Sequence, residues 1–307
     1  MNPFRFGIQL DGAPTGAAWR DLCRKVEDLG YSTLFVPDHL GDQWAPTVAL
    51  TAAADATTTL KVGALVYDND YRHPVLLAKE MATLDLLSEG RLEVGLGAGW
   101  MKTDYDESGI PYDEPLVRVK RFEEGVQIIK SLLADGSCTF KGDFYEITSA
   151  QGLPRPHRTP PIVIGGGGKR VLSFAAEHAD IIGVNANLRA GVVGPEVAKT
   201  VTADRFQERI GWIRDAAGER FESIELQVLT FMCAITDDRE GLAEQMGPMF
   251  GLDGAAALEV PMTVVGTVDQ VCETLRDRRE RYGFSYYVFH AGEIEPFAPV
   301  VAALAGT

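Results

Sequence analysis

Eight short apolar runs, most followed by a stretch with helical periodicity, limit the fold of this chain more than any other feature. The runs are FRFGIQL (4–10), STLFVPDHL (32–40), LKVGALV (60–66), RLEVGLG (91–97), the start of PIVIGGGGKRVLSFAAEHA (161–179), DIIGVNA (180–186), SIELQVLTFMCAIT (223–236) and FSYYVFHA (284–291). Runs of this length bounded by turn residues read as buried strands. Between them lie helical patterns at 17–30, 46–57, 74–90, 114–136, 203–218 and 267–283. In the longest, Val119, Phe122, Val126, Ile129 and Leu133 recur at spacings of three and four, one face of a helix. Repeated strand–helix units imply a parallel sheet. Eight of them in 307 residues predict an α/β fold of the closed (β/α)8 TIM barrel type, as one domain over residues 1–307. An open doubly wound sheet would place GxGxxG directly after the first strand, and FRFGIQLDGAPTGA does not. Three segments interrupt the rhythm as insertions, near 100–114, 137–160 and 185–202. The second is rich in Pro and Gly and suits a short β-hairpin.

Charge and cysteines narrow the partners. The net charge is −15 and no basic run exists, which argues against nucleic acid and against an anionic membrane surface. Cys23, Cys138, Cys233 and Cys272 are far apart, with no CxxC pair and no zinc-type spacing. They read as free thiols in a reducing cytoplasm, and no metal site is expected. MNPFRFGIQLDG lacks the pattern of a signal peptide, and no apolar run reaches membrane-spanning length. The expected partner is a small-molecule substrate; a homodimer is left open.

Within SEGRLEVGLGAGW, Gly95, Gly97 and Gly99 alternate with Val94, Leu96 and Ala98. Side chains on a strand alternate faces, so one face here is bare. Such a face suits either a large flat body pressed against the strand or a tight barrel corner. The run Gly165, Gly166, Gly167, Gly168 is different, because it passes from a strand into a helix start. Backbone N–H groups and the helix dipole there favour an anion, with Lys169 and Arg170 beside it. Asp38 and His39 end the second strand, where a barrel carries its chemistry, and a histidine exchanges protons near neutral pH. A helix cap plus a surface histidine is the competing reading. Arg72, leaving the third strand, would pair an anion or cap a helix. His73 would shape a helix start, and His178 would end one.

YRHPVLLAKEMATLDLLSEGRLEVGLGAGW resembles the signature of the luciferase-like monooxygenase superfamily, and within it the branch of coenzyme F420 (deazaflavin)-dependent oxidoreductases. GYSTLFVPDHL, RFEEGVQIIKSLL, PIVIGGGGKRVLSFAAEHADIIGV and VGTVDQVCETLRDRRERYG match in order, so the resemblance covers nearly the whole chain. It implies a barrel with the cofactor at its C-terminal mouth and hydride exchange with an organic small molecule. Asp38 and His39 would lie near the deazaflavin ring, with His39 close to the reacting carbon. Gly97 and Gly99 would let their strand approach the ring, and Gly165–Gly168 would bind the cofactor's phosphate. Relatives carry a non-proline cis peptide after the third strand, and the matching bond is Leu65–Val66. Sugar-phosphate dehydrogenases of the family carry a glutamate where this chain has Trp100, which counts against a sugar phosphate. Trp100 and Trp44 instead suggest aromatic walls for an apolar or planar substrate. The alternatives are an FMN-dependent monooxygenase on the same fold and a non-catalytic cofactor-binding barrel; a barrel binding only a sugar phosphate is a more distant one.

Overall fold

The computed structural model describes residues 2–192 and 194–307; residue 1 of the expected domain and residue 193 of the expected 185–202 insertion lie outside the described residues. Its strands are β1 (Arg5–Gln9), β2 (Thr33–Val36), β3 (Lys61–Ala64), β4 (Tyr67–Asp68), β5 (Leu92–Gly97), β6 (Ser137–Lys141), β7 (Glu146–Gln151), β8 (Ile162–Gly166), β9 (Ile181–Val184), β10 (Glu225–Leu229), β11 (Met232–Ile235), β12 (Thr263–Gly266) and β13 (Phe284–His290). One sheet runs in the order β3-β2-β1-β13-β10-β9-β8-β5-β4, and β3 also pairs β5. Eight of these strands close a ring of parallel pairings with helices between them, the (β/α)8 barrel fold. Each of the eight apolar runs supplies one strand of it.

The helices begin and end where local chemistry directs. Pro74 opens Pro74–Leu87, and His73 caps it by accepting from the Val75 N–H. Thr267 and Gln270 form a capping box on Val268–Tyr282, which stops at Gly283 in the left-handed region. His178 is the last residue of Lys169–His178. All four cysteines are free thiols.

The chain divides into two compact units. In the first (Met1–Leu10, Lys25–Thr33, Gly165–Thr307), β1 lies in register with β13, Phe6 against Tyr287 and Ile8 against Phe289. Phe6 stacks on both Tyr287 and Phe289. The expected single strand 223–236 divides here. Thr230 donates through N and Oγ1 to the Val288 carbonyl, and Phe231 N donates to Met262 O. The chain then leaves the barrel sheet as β11 and pairs β12 in parallel. Sequence periodicity missed β12 and the helices Arg239–Met246, Gly254–Glu259 and Ala298–Leu304. These are short elements whose order comes from contacts remote in sequence. The Arg278 guanidinium, for example, binds the carbonyls of Leu258, Pro261 and Thr263.

In the second unit (Asp11–Arg24, Leu34–Ile164), Arg91 gathers the carbonyls of Ala54 and Leu60 and the Thr57 hydroxyl. It thereby ties the end of Pro46–Ala56 to the start of β5. The expected hairpin is present as antiparallel β6–β7. Glu124, on helix Pro115–Lys130, accepts from the backbone N–H groups of residues 143–145 and holds its turn. Expected strand 60–66 stops at Ala64, the Leu65–Val66 peptide is cis, and β4 follows.

Protein fills the space beside Gly95 and Gly97 of β5 and beside Gly99 just after it, where Gly97 and Gly99 are expected to let the strand approach a ring. A Cβ on Gly95 would lie 1.9 Å from the Ala64 carbonyl oxygen, and one on Gly97 2.4 Å from Val66 Cγ2. One on Gly99, whose φ is +70°, would lie 1.9 Å from the Tyr105 hydroxyl. The three glycines let the segment around Leu65–Val66 and the Tyr105 side chain press against the strand.

Candidate active site

Asp38 and His39 leave β2 side by side but take separate partners. Asp38 is buried and spends both oxygens on protein donors. Arg72 Nη2 donates to Oδ1 at 2.9 Å, while Arg72 Nη1 and the Asp68 N–H (3.0 Å) donate to Oδ2. The Arg72 guanidinium also lies over the Tyr67 ring. Of its two expected uses, Arg72 therefore has the first, with a carboxylate of the chain as the anion. Expected as a catalytic group, Asp38 sits as a brace between the end of β2 and the segment after Leu65–Val66.

His39 turns to a residue that sequence reading passed over. Its Nδ1 lies 2.6 Å from Oδ2 of Asp104, in the short helix Lys102–Ser108. Asp104 is 3% exposed. It accepts twice more, from the Leu40 N–H at Oδ1 (3.3 Å) and from the Tyr71 hydroxyl at Oδ2 (3.0 Å). Burial, with the charges of Asp68 and Asp104, raises the Tyr71 phenol, so it remains a protonated donor. Trp100 meets the His39 ring edge-on, with centroids 5.5 Å apart. Trp100 is held in turn by Tyr112, whose hydroxyl donates to its carbonyl. Beside it, buried Arg118 donates to the Gly99 carbonyl at 2.7 Å.

Trp44 packs on Trp19 at 5.2 Å, and its indole lies 2.7 Å from where a Gly12 Cβ would stand. The structure thus brings His39 and Trp100 together and gives Trp44 a neighbourhood of its own.

Behind the histidine lies a second carboxylate cluster. The Tyr105 hydroxyl reaches Asp68 at 3.2 Å and Asp70 at 3.0 Å, and Arg121 pairs Asp70 at 3.0 Å. Burial, reinforced by the charges of Asp70 and Asp38, pushes Asp68 up to about 7. Asp70 is raised too, chiefly by burial, with Arg121 opposing.

The glycine run belongs to the other unit. Gly168 begins helix Lys169–His178 with extended backbone and no side-chain cap, and a Cβ placed there would meet nothing within 4 Å. Gly167 is confined, its Cβ position 2.1 Å from the Ala186 carbonyl oxygen. Its own carbonyl accepts from Arg209 Nε at 3.1 Å. Arg209 is buried, its Nη1 has no hydrogen-bond partner among the described residues, and burial lowers it to about 10. Lys169 and Arg170 are exposed. An uncapped helix start beside a buried cation with a spare donor has the chemistry of an anion site.

Asp104, Tyr71 and Arg209 gave no signal in sequence, since Asp104 is 65 residues from the ring it holds. The polar content of the segment after β5 was the available hint.

Residues 1–261 match the luciferase-like monooxygenase family, and the chain belongs to that family. It is similar to an F420-dependent glucose-6-phosphate dehydrogenase of Amycolatopsis mediterranei (strain U-32), 30% identical over 173 residues, 52% of each protein. It is also similar to an FMNH(2)-dependent dimethylsulfone monooxygenase of Pseudomonas fluorescens (strain Pf0-1), 28% identical over 188 residues, 61% of this chain and 48% of that one. The chain thus spans about half the length of these two relatives. A 5,10-methylenetetrahydromethanopterin reductase of Methanopyrus kandleri is matched more fully, 26% identical over 289 residues, 89% of this chain and 75% of that one. Among solved structures, the coenzyme F420-dependent tetrahydromethanopterin reductase of Methanopyrus kandleri superposes with a TM-score of 0.73 at 22% identity, covering 98% of this chain and 97% of that one. An F420-dependent secondary alcohol dehydrogenase gives 0.76 at 18% identity, with 99% of each chain covered. At these identities the structures show a shared fold and no more. Among the described residues, no helix is long and apolar enough to cross a membrane.

Proposed function

We propose that this chain is an oxidoreductase that moves a hydride between coenzyme F420 and an organic small molecule, with His39 as the proton partner. The observation that carries the reading is the His39–Asp104 pair beside Trp100. It offers a ring nitrogen, backed by a buried carboxylate, next to an aromatic edge. A hydride exchange at carbon bearing oxygen needs such a partner, because the oxygen gains or loses a proton as the carbon changes oxidation state.

The residues present fit an anionic cofactor tail. Gly167, Gly168, Lys169 and the spare donor of Arg209 are the groups that would receive a phosphate. When bound, the deazaflavin supplies the hydride acceptor or donor, and the protein supplies position and proton transfer. In this reading His39 is the catalytic residue, Asp38 and Arg72 hold its segment in place, and Trp100 walls the substrate. The substrate is a neutral, apolar or planar molecule rather than a sugar phosphate.

A relative that uses reduced FMN keeps a second reading in view. Purified protein titrated with F420 and with FMN, side by side, separates the two. Tight F420 binding without FMN binding supports the proposal. FMN binding with oxygen uptake by the reduced complex moves the chain to the monooxygenase reading. Tight cofactor binding with no turnover of any alcohol or carbonyl substrate would favour a cofactor-binding barrel without chemistry. Under the proposal, His39→Ala lowers turnover by roughly 10²–10⁴-fold, and undiminished turnover would remove His39 from the mechanism.

A further inference from the structure

We infer that Asp104 is the positioning residue that fixes which nitrogen of His39 faces substrate. Both oxygens of Asp104 are engaged, Oδ1 by the Leu40 N–H and Oδ2 by the Tyr71 hydroxyl and His39 Nδ1. An ionised carboxylate only accepts hydrogen bonds, so the proton of the neutral ring sits on Nδ1. Nε2 is then the basic nitrogen, and among the described residues it has no protein partner. The ring as a whole keeps 23% of its side-chain surface exposed, while Asp104 keeps 4%. The charged groups adjoining this segment, Asp38 and Arg72, are committed to each other. Tyr71 stays a donor to Asp104. No other described group competes for Nδ1.

The consequence for turnover rests on the function proposed above. A substrate carbinol gives its hydride to the cofactor and its hydroxyl proton to Nε2, leaving a carbonyl. In the opposite direction, the doubly protonated ring returns that proton to the carbonyl oxygen as carbon receives hydride. The other tautomer presents an N–H to the substrate hydroxyl and has no lone pair to take the proton.

Asp104→Ala tests this because it removes the acceptor that Nδ1–H needs. An amide at this position keeps an oxygen that the Tyr71 hydroxyl and Nδ1–H can both still use, so Asp104→Asn does not discriminate. Without the carboxylate, the preference of the ring proton for Nδ1 is lost. Long-range proton–nitrogen NMR of the histidine-labelled full chain reads the tautomer without cofactor, with His39→Gln identifying its signal among five histidines. The expected result is Nδ1–H in the native protein and a shift toward Nε2–H in Asp104→Ala. Native protein already in the Nε2–H form would overturn the inference without any variant, as would Nδ1–H persisting in folded Asp104→Ala. With turnover established, Asp104→Ala lowers kcat by about 10²-fold or more and leaves KM within a few-fold. A flipped ring with unchanged kcat also overturns the positioning role. A chain that reduces or oxidises nothing with F420 or FMN instead refutes the proposed function, while the tautomer measurement still decides this point.

Discussion

At the scale of single residues, the second unit concentrates charge in a dry place. Asp38 and Arg72 are a bidentate pair with little exposure, and deleting one partner leaves the other charge buried alone. Arg72→Met should cost about 3–5 kcal/mol in urea unfolding, whereas a loss under 1 kcal/mol would show that Asp38 finds another partner. Asp68 behaves in the opposite sense. Its carboxyl titrates near 4 in the unfolded chain and about 7 in the folded one. A raised folded value means that the folded state holds the proton more tightly. The stability contributed is therefore complete below pH 4 and lost as pH rises through 7. Asp68→Asn, which keeps an acceptor for Tyr105 and Asp70 but cannot ionise, should leave stability near pH 4 little changed. Above pH 7 it should raise stability, by an amount bounded at roughly 4 kcal/mol. Thermal melts of the two proteins across that range check the sign, and parallel curves would show that Asp68 is not buried as described.

At the scale of elements, β5 and the segment after β3 are shaped to each other. The Cβ missing from Gly95 would meet a backbone carbonyl, and the one missing from Gly97 a Val66 methyl. The two substitutions should therefore differ in kind. Gly97→Ala should cost about 1–3 kcal/mol, the usual range for overpacking, and Val66→Ala in the same chain should recover most of it. Gly95→Ala should cost more and gain nothing from Val66→Ala, since backbone cannot be trimmed. A double-mutant cycle measures both, and equal rescue of the two would contradict the assignment of partners. Sequence pattern marked these glycines as special without saying what approached them. Period-two alternation reports that a face is bare, and only the neighbouring strand's exit shows what occupies it.

At the scale of the whole molecule, a ligand that binds only the folded chain stabilises it by mass action. At one hundred times its dissociation constant, F420 should add about 2.7 kcal/mol, or about 4 °C in Tm for a chain of this length, with no comparable shift from FMN. The reverse pattern would favour the monooxygenase reading. The architecture behind these expectations was legible from the order of residues, because strand runs, amphipathic stripes and caps are local. Pro74 with His73, Thr267 with Gln270 and Gly283 each act within a few residues of themselves. The same locality made the glycine run visible in advance, whereas the Leu65–Val66 position came only from the family resemblance. Contacts between distant segments were not legible. The break at Thr230, the strand β12, the hold of Asp104 on His39 and the buried Arg209 beside Gly167 each depend on groups tens of residues apart. The sequence by itself determined the alternation of elements and the glycine positions, through backbone sterics and periodic burial. Tertiary structure alone decided which carboxylate faces which ring, because hydrogen bonds form between whatever side chains folding brings within 3 Å, and spacing along the chain does not encode that distance.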